Sequence, residues 1–481
     1  MKKSIFQLAS IALIGGIVGR GFRYSLDVVI SRGLGPDALG VFTFGLVISQ
    51  FVIIFSRLGL DQAVQKFIPI YLDESPEKTT GVVVFSIGTP ILLSTLISSI
   101  LILNLDMLLS ILGSGQRNIL FIFFAGLPIL AGFEVAVNAT KGFKETKYAV
   151  FGDNIVRSGL ALVLAYVSSF IYNDLVAVVI GYFAATTIGL FVMLFSIKSL
   201  GGFNSKPTTF EPRKLLNFSL PLVLLAAGGR LVSWADVMIL GVYVSNVELG
   251  WYQAAYQTSA LLLIVLHAAN SIFPALASDL YESGQMQKLQ QIYNTTTKWI
   301  ALLSILGCMY LIVFSNDILS IFGEPTTQAN NILSILAVGQ MISAAVGPVG
   351  YLLVMSGNER VETANTIIVA TINISLNIFF VQTHGALGAA IATGISFTIY
   401  NFIRLIQVWW LAQIKPFSLF NPASVISLVL ALVTLALVVY LPLDGVFLAM
   451  VAGFLTLSVF ALSNYILGFE EKDRVILESI G

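Results

Sequence analysis

The chain has 481 residues, 57% hydrophobic and 10% charged, with a mean hydropathy of +0.92. Soluble domains carry about 25% charged residues, so these values describe an integral membrane protein. The 25 Lys and Arg balance 25 Asp and Glu, and no basic run points to nucleic acid; a single cysteine, Cys308, with only His267 and His384 excludes a disulfide framework and a Cys- or His-based metal centre.

The N-terminus, MKKSIFQLASIALIGGIVG, has the look of a signal peptide, but the apolar run continues through Leu34 without a convincing small-x-small cleavage site. A retained first helix is expected. Inside it, Arg20, Arg23 and Asp27 fall within one narrow arc at 100° per residue, with Gly16 one turn below Arg20. A charge at the bilayer centre costs about 2.5–3.5 kcal/mol on insertion scales, so this face should look into protein or water. Two readings stand open for Asp27: partner of Arg23 at the i+4 spacing, or member of a binding site that also holds Arg20.

Apolar segments of about 20 residues are expected at 4–32, 38–60, 79–103, 118–140, 147–170, 174–197, 215–243, 249–275, 293–315, 328–354, 362–381, 385–411, 422–442 and 445–467. This makes an all-α membrane protein of 14 helices. With the N-terminus inside, nineteen of the 25 basic residues, among them Arg57, Lys298 and Arg404, fall on the cytoplasmic side and only Arg32 and Arg117 outside. That bias puts both termini in the cytoplasm. The longest polar connections are Asp61–Lys78 and Ser199–Lys214; the second contains GGFNSKPTTFEPRK and reads as a linker.

The pattern of the first helix returns 210 residues downstream in GGRLVSWADVMILGVYVSNVELGWY. Arg20 and Gly40 correspond to Arg230 and Gly250, and Asp27-Val-Val-Ile to Asp236-Val-Met-Ile with a one-residue slip. A repeat at that distance means two halves built alike. The expected organisation is a first lobe over 1–198, a cytoplasmic linker over 199–214, a second lobe over 215–414, and two helices with a tail over 415–481. An even number of passes per lobe makes the repeat parallel. Arg230 and Asp236, six apart, lie about 120° from each other on an ideal helix: either Pro221 and Gly228-Gly229 distort it, or Asp236 serves a different contact.

Other ionisable groups at membrane depth are Glu134, which has no local partner; Asp153 and Arg157, spaced to pair along one helix; and His267, followed by Asn270. Prolines interrupt the spans at Pro90, Pro128, Pro274 and Pro348, the last within Gly347-Pro-Val-Gly350.

Ser31-Arg-Gly-Leu-Gly-Pro-Asp-Ala-Leu-Gly-Val-Phe42, Leu58-Gly-Leu60 and Ala63-Val-Gln-Lys-Phe67 resemble the opening of the polysaccharide flippases of the MOP (multidrug, oligosaccharidyl-lipid, polysaccharide) exporter superfamily. Leu249-Gly-Trp-Tyr-Gln-Ala-Ala-Tyr256 and Phe273-Pro274 are similar to the pattern of its second lobe. The resemblance implies a MATE-like fold and alternating access that moves a polyprenyl-linked oligosaccharide from the cytoplasmic to the outer leaflet of the cell membrane. The partners expected are that lipid-linked oligosaccharide, membrane lipids and other polysaccharide-assembly proteins; no cofactor is expected, and a coupling ion, H+ or Na+, is left open. Arg20, Arg23 and Arg230 are the expected substrate-phosphate ligands, with Asp27 and Asp236 orienting them, and Glu134 and Asp153 are the groups a coupling ion would use. The alternative is a MATE-type cation-coupled drug antiporter, which two arginines on the organising face disfavour. An enzyme would need a soluble domain or a long outer loop carrying carboxylates or histidine, and neither is present in the sequence.

Overall fold

A computed structural model describes residues 2–112, 117–204, 210–324, 327–415 and 421–467. The centre of the expected linker, with Lys206, and the C-terminal tail, with Lys472 and Arg474, lie outside the described residues. Every regular element among the described residues is helical. Contacts divide the chain into two compact units, Met1–Gln253 and Ala254–Gly481.

The first unit contains α1 (Lys2–Leu34), α2 (Pro36–Arg57), α3 (Leu60–Glu74), α4 (Pro76–Leu103), α5 (Leu105–Leu112), α6 (Arg117–Ala125) and α7 (Leu127–Gly142). It continues with α8 (Thr146–Ala149), a π-helical stretch at Val150–Arg157, α9 (Ser158–Val167), α10 (Leu175–Ser199), α11 (Pro212–Tyr243) and the start of α12 (Asn246–Ser259). Pro36, Pro76 and Pro212 open their helices, where the missing N–H is harmless. The stretch 61–78, expected as a polar connection, is mostly helix α3. Its Leu60, Ala63, Val64, Phe67, Ile68 and Tyr71 are buried at helical spacing against Phe133, Ala136, Met193 and Leu215. Four acidic residues and two lysines in that stretch lower its mean hydropathy below that of a span while leaving its apolar face intact.

The second unit contains α13 (Ile264–Asn270), α14 (Phe273–Glu282), α15 (Met286–Val313), α16 (Ser315–Leu319), α17 (Thr327–Ala345), α18 (Val349–Met355), α19 (Glu359–Leu411), α20 (Pro422–Val438) and α21 (Gly445–Leu467). The 53 residues of α19 are two arms folded back at Gly385, whose φ of 57° and ψ of −137° no helix permits. Asn365 pairs with Gln407, Thr366 with Tyr400 and Asn373 with Ser396 across the arms. α20 and α21 pack on α15 through Leu302, Leu306, Ala431 and Phe460 and through the Tyr310 hydroxyl, which donates to the Ala449 carbonyl at 2.9 Å. Their other faces expose Leu437, Phe447, Phe454 and Tyr465, side chains that belong in lipid.

Among the described residues nine helices are long and apolar enough to cross a bilayer, and eleven if each of two pairs bent by 42° is one pass. With α1, α20 and the second arm of α19, this is consistent with fourteen passes. The protein is a multi-pass membrane protein.

An arginine-rich candidate site

The residues singled out by the repeat all belong to the first unit. Arg20 is exposed and Arg23 half-buried on α1. The i+4 pair of Arg23 with Asp27 does not form: Asp27 is buried and accepts from the Gln253 amide at 3.0 Å, while the carboxylate acting electrostatically on Arg23 is Asp153. Arg230 is exposed on α11 and lies over the Trp234 ring at 4.5 Å. Asp236, buried on the same continuous helix, accepts from the Tyr252 hydroxyl and from the Val237 amide at 2.9 Å. Of the two readings offered for the six-residue spacing, separate contacts is the one observed.

The two aspartates of the repeat are thus held by neighbouring residues of one helix, Tyr252 and Gln253 of α12. The glycines of the repeat explain how α12 comes so close. A Cβ on Gly40 would run into the carbonyl oxygen of Asn246, and one on Gly250 into that of Pro36. Each repeat glycine therefore lies against the backbone that opens the other copy's second helix, a contact only a missing side chain permits.

Two carboxylate clusters surround the arginines. In the first, Arg157 places Nη2 at 2.6 Å and Nε at 2.9 Å from Asp153 Oδ1, donates to the Tyr182 hydroxyl at 3.2 Å, and stacks on Phe133 with 4.8 Å to the ring centroid. The pair sits on the π-helical stretch Val150–Arg157, a wide turn common at functional sites. Gly189 leaves the room for it, since a Cβ there would come within 3.3 Å of the Arg157 Cβ and 2.9 Å of the Phe133 ring.

The second cluster was not foreseen. Arg57, expected in a cytoplasmic loop, closes α2 and is 8% exposed. It lies 3.6 Å from Glu134 and 3.7 Å from Asp61, so Glu134 has a partner after all. At these separations the contacts are ion pairs without a hydrogen bond, and the buried Arg57 Nε is left with none. Glu134 lies on α7, the helix whose Phe133 receives the Arg157 guanidinium. The signal for Arg57 was its i+4 spacing to Asp61; counting it as a loop charge concealed it. Lys298, similarly counted, is buried in α15.

The first unit thus carries five guanidinium groups: Arg57 and Arg157 are buried and ion-paired with Asp61, Glu134 and Asp153, Arg23 is half-buried, and Arg20 and Arg230 are exposed. Planar guanidinium groups with unspent donors suit a phosphate or other anion. Among the described residues, no cluster of three or more His, Cys, Asp or Glu is placed to hold a metal ion.

Comparison with known proteins agrees with the fold. The family described as "Polysaccharide biosynthesis protein" matches residues 5–278 and the MatE family matches residues 221–379. "Probable low-salt glycan biosynthesis flippase Agl15" of Haloferax volcanii is 25% identical over 432 residues, covering 87% of this chain and 86% of that protein. Among solved structures, the lipid II flippase MurJ in an inward closed conformation superposes with a TM-score of 0.73 at 16% identity, covering 94% of this chain and 97% of that one. An inward-facing multidrug resistance MATE transporter of the MOP superfamily superposes at 0.67 with 16% identity, covering 82% and 95%. The fold is therefore that of the MOP transporters, and with a match running over more than half its length the chain belongs to the polysaccharide biosynthesis protein family.

Proposed function

We propose that the protein is a transporter, not an enzyme, that flips a polyprenyl-phosphate- or pyrophosphate-linked oligosaccharide from the cytoplasmic to the outer leaflet of the cell membrane for surface polysaccharide or glycoprotein assembly. The observation that carries this reading is the surplus of arginine in the first unit. Arg20, Arg23 and Arg230 have no carboxylate within ion-pair distance among the described residues, and such charges persist at membrane depth when they gather around water or an anionic ligand. A phosphate between them would receive charge-assisted hydrogen bonds from several sides. Asp27 and Asp236, tied to Gln253 and Tyr252, fix the helices that carry the arginines. The flippase named in Haloferax volcanii, similar over most of its length, supports the same substrate class. A cationic drug would be repelled by the same surplus, and the MatE family covers the smaller part of the chain. The basic bias supports cytoplasmic termini, and the 210-residue repeat supports two six-helix lobes over 1–198 and 215–414.

A coupling ion, H+ or Na+, would act at Glu134 or Asp153, the carboxylates paired with Arg57 and Arg157. Alternating access then follows if the arginines hold the phosphate more tightly in one conformation than in the other.

The test is flipping of a fluorescent polyprenyl-pyrophosphate-linked oligosaccharide in proteoliposomes. Wild type should flip it, Arg20→Ala with Arg230→Ala should abolish flipping in a protein that still inserts and folds, and Arg→Lys at either position should restore only part because the planar fork is lost. Full flipping by the double alanine variant would refute the reading.

A further inference from the structure

Within the second unit the chain breaks between α17 and α18. Gly347 takes a φ of 66°, Pro348 follows, and the helix resumes at Val349. Beside this break lies a cavity of about 410 Å³, lined by α13, α17, α18 and both arms of α19. Broken helices at membrane depth are tolerated where they face protein or a polar cavity, and they often mark ligand sites.

The cavity mixes apolar walls, among them Leu266, Val354 and Phe397, with a few polar groups and one ion pair. Its one ion pair is closed on itself: Arg404 Nε donates to Glu362 Oε2 at 3.0 Å, Arg404 Nη2 to Oε1, and the Tyr400 hydroxyl also donates to Oε1 at 3.0 Å. Gly350 makes way for the pair, since a Cβ there would meet Arg404 Nη2 at 2.8 Å. Neutralised in this way, the pair attracts neither a phosphate nor a cation strongly. Gln340, 1% exposed, lines the same cavity with an Oε1 that has no hydrogen-bond partner among the described residues, and so does Asn270 with its buried Oδ1. Unpaired buried acceptors are costly, and these two want donors that carry no charge.

The geometry points to a binding subsite for a sugar ring in this cavity. A pyranose supplies hydroxyl donors to Gln340 and Asn270 and accepts from the outer donors of Arg404, whose guanidinium already covers the Tyr400 ring at 3.6 Å. The volume lies toward the small end of ligand sites, which run from about 300 to 1,000 Å³, and suits one or two sugars rather than a whole lipid-linked glycan. The inference rests on the reading that the cargo is a lipid-linked oligosaccharide, and assigns its sugar portion a site of its own.

Saturation-transfer NMR on the full chain in nanodiscs tests it, with free glucose, mannose, galactose and N-acetylglucosamine as probes, alongside a separate binding assay with undecaprenyl phosphate. At least one sugar should receive saturation from wild type. Gln340→Leu and the milder Glu362→Gln, each checked for a monodisperse fold, should bind that sugar about tenfold more weakly, with undecaprenyl phosphate binding unchanged. No transfer to any of the four sugars, equal transfer in wild type and both variants, or a Na+-dependent stabilisation lost in Gln340→Leu without any sugar signal would each overturn the subsite. If undecaprenyl phosphate binds and the sugars do not, the subsite falls while the flippase reading stands. Sugar binding lost in Gln340→Leu, with no binding of undecaprenyl phosphate, would uphold the subsite and count against the flippase reading.

Discussion

The two units solve the problem of a polar membrane interior in opposite ways. The first is charged: Arg157 holds Asp153 closely at 2.6 Å, Arg57 reaches Glu134 and Asp61 only at 3.6 and 3.7 Å, and Arg20, Arg23 and Arg230 have no carboxylate within ion-pair distance among the described residues. The second is built from neutral amides and hydroxyls, Asn365 with Gln407 and Asn373 with Ser396, and its cavity ion pair is held in a tight fork. The difference teaches what each can bind. Loose arginines keep donors available for an anion, whereas a closed fork among amides offers hydrogen bonds without a field.

The largest expected effect comes from opening the closed fork. Glu362→Leu leaves Arg404 charged and nearly buried with no carboxylate, which should cost about 3–5 kcal/mol. Glu362→Leu combined with Arg404→Leu should recover most of it, because an apolar pair of similar volume is often as stable as a buried ion pair. Thermal unfolding in detergent checks both. A single variant as stable as the double would show that the fork is solvated, and the contrast between the units would fail.

The matching change in the first unit should be milder and should alter binding instead. Glu134→Gln leaves Arg57 beside Asp61 in an already loose arrangement, so about 1–2 kcal/mol of stability should be lost, while one negative charge fewer should tighten binding of undecaprenyl phosphate. That affinity should also fall with added salt, and sugar binding to the second unit should not. Weaker phosphate binding by Glu134→Gln would mean that Glu134 positions Arg57 rather than competing for it.

The sequence carried the all-helical, many-span pattern well, because it depends on local composition. Asp153 with Arg157 was legible as an i+4 pair and is one, although the π-helical turn beneath it has no sequence mark. Arg57 and Glu134 were not legible, since their contact joins helices 77 residues apart in sequence and a loop assignment hid the arginine. Helix α3 escaped because its apolar face was masked by the charges on its other side, and a search for continuous apolar runs passes over such an amphipathic helix. The roles of Tyr252 and Gln253 were equally hidden. They lie in the motif quoted for the second half, yet only the close approach at Gly40 and Gly250 brings them to the two aspartates.

The smallest effect separates those two aspartates. Both Asp236 oxygens accept, one from Tyr252 and the other from the Val237 amide, so an asparagine there keeps its oxygen for the Val237 amide and donates its NH2 to the Tyr252 hydroxyl, and both bonds lose their charge assistance. Asp236→Asn should therefore cost about 2 kcal/mol, the weakening of two charge-assisted hydrogen bonds to neutral ones in a buried site. At Asp27 one partner is the side-chain amide of Gln253, which can rotate to offer its oxygen to an asparagine NH2, and the expected loss is below about 1 kcal/mol. If the repeat placed its aspartates in equivalent surroundings, the two substitutions would cost the same. Unequal melting temperatures for Asp27→Asn and Asp236→Asn, with Asp236→Asn the lower, would show that the copies have diverged at the residues that receive them rather than at the repeated residues themselves.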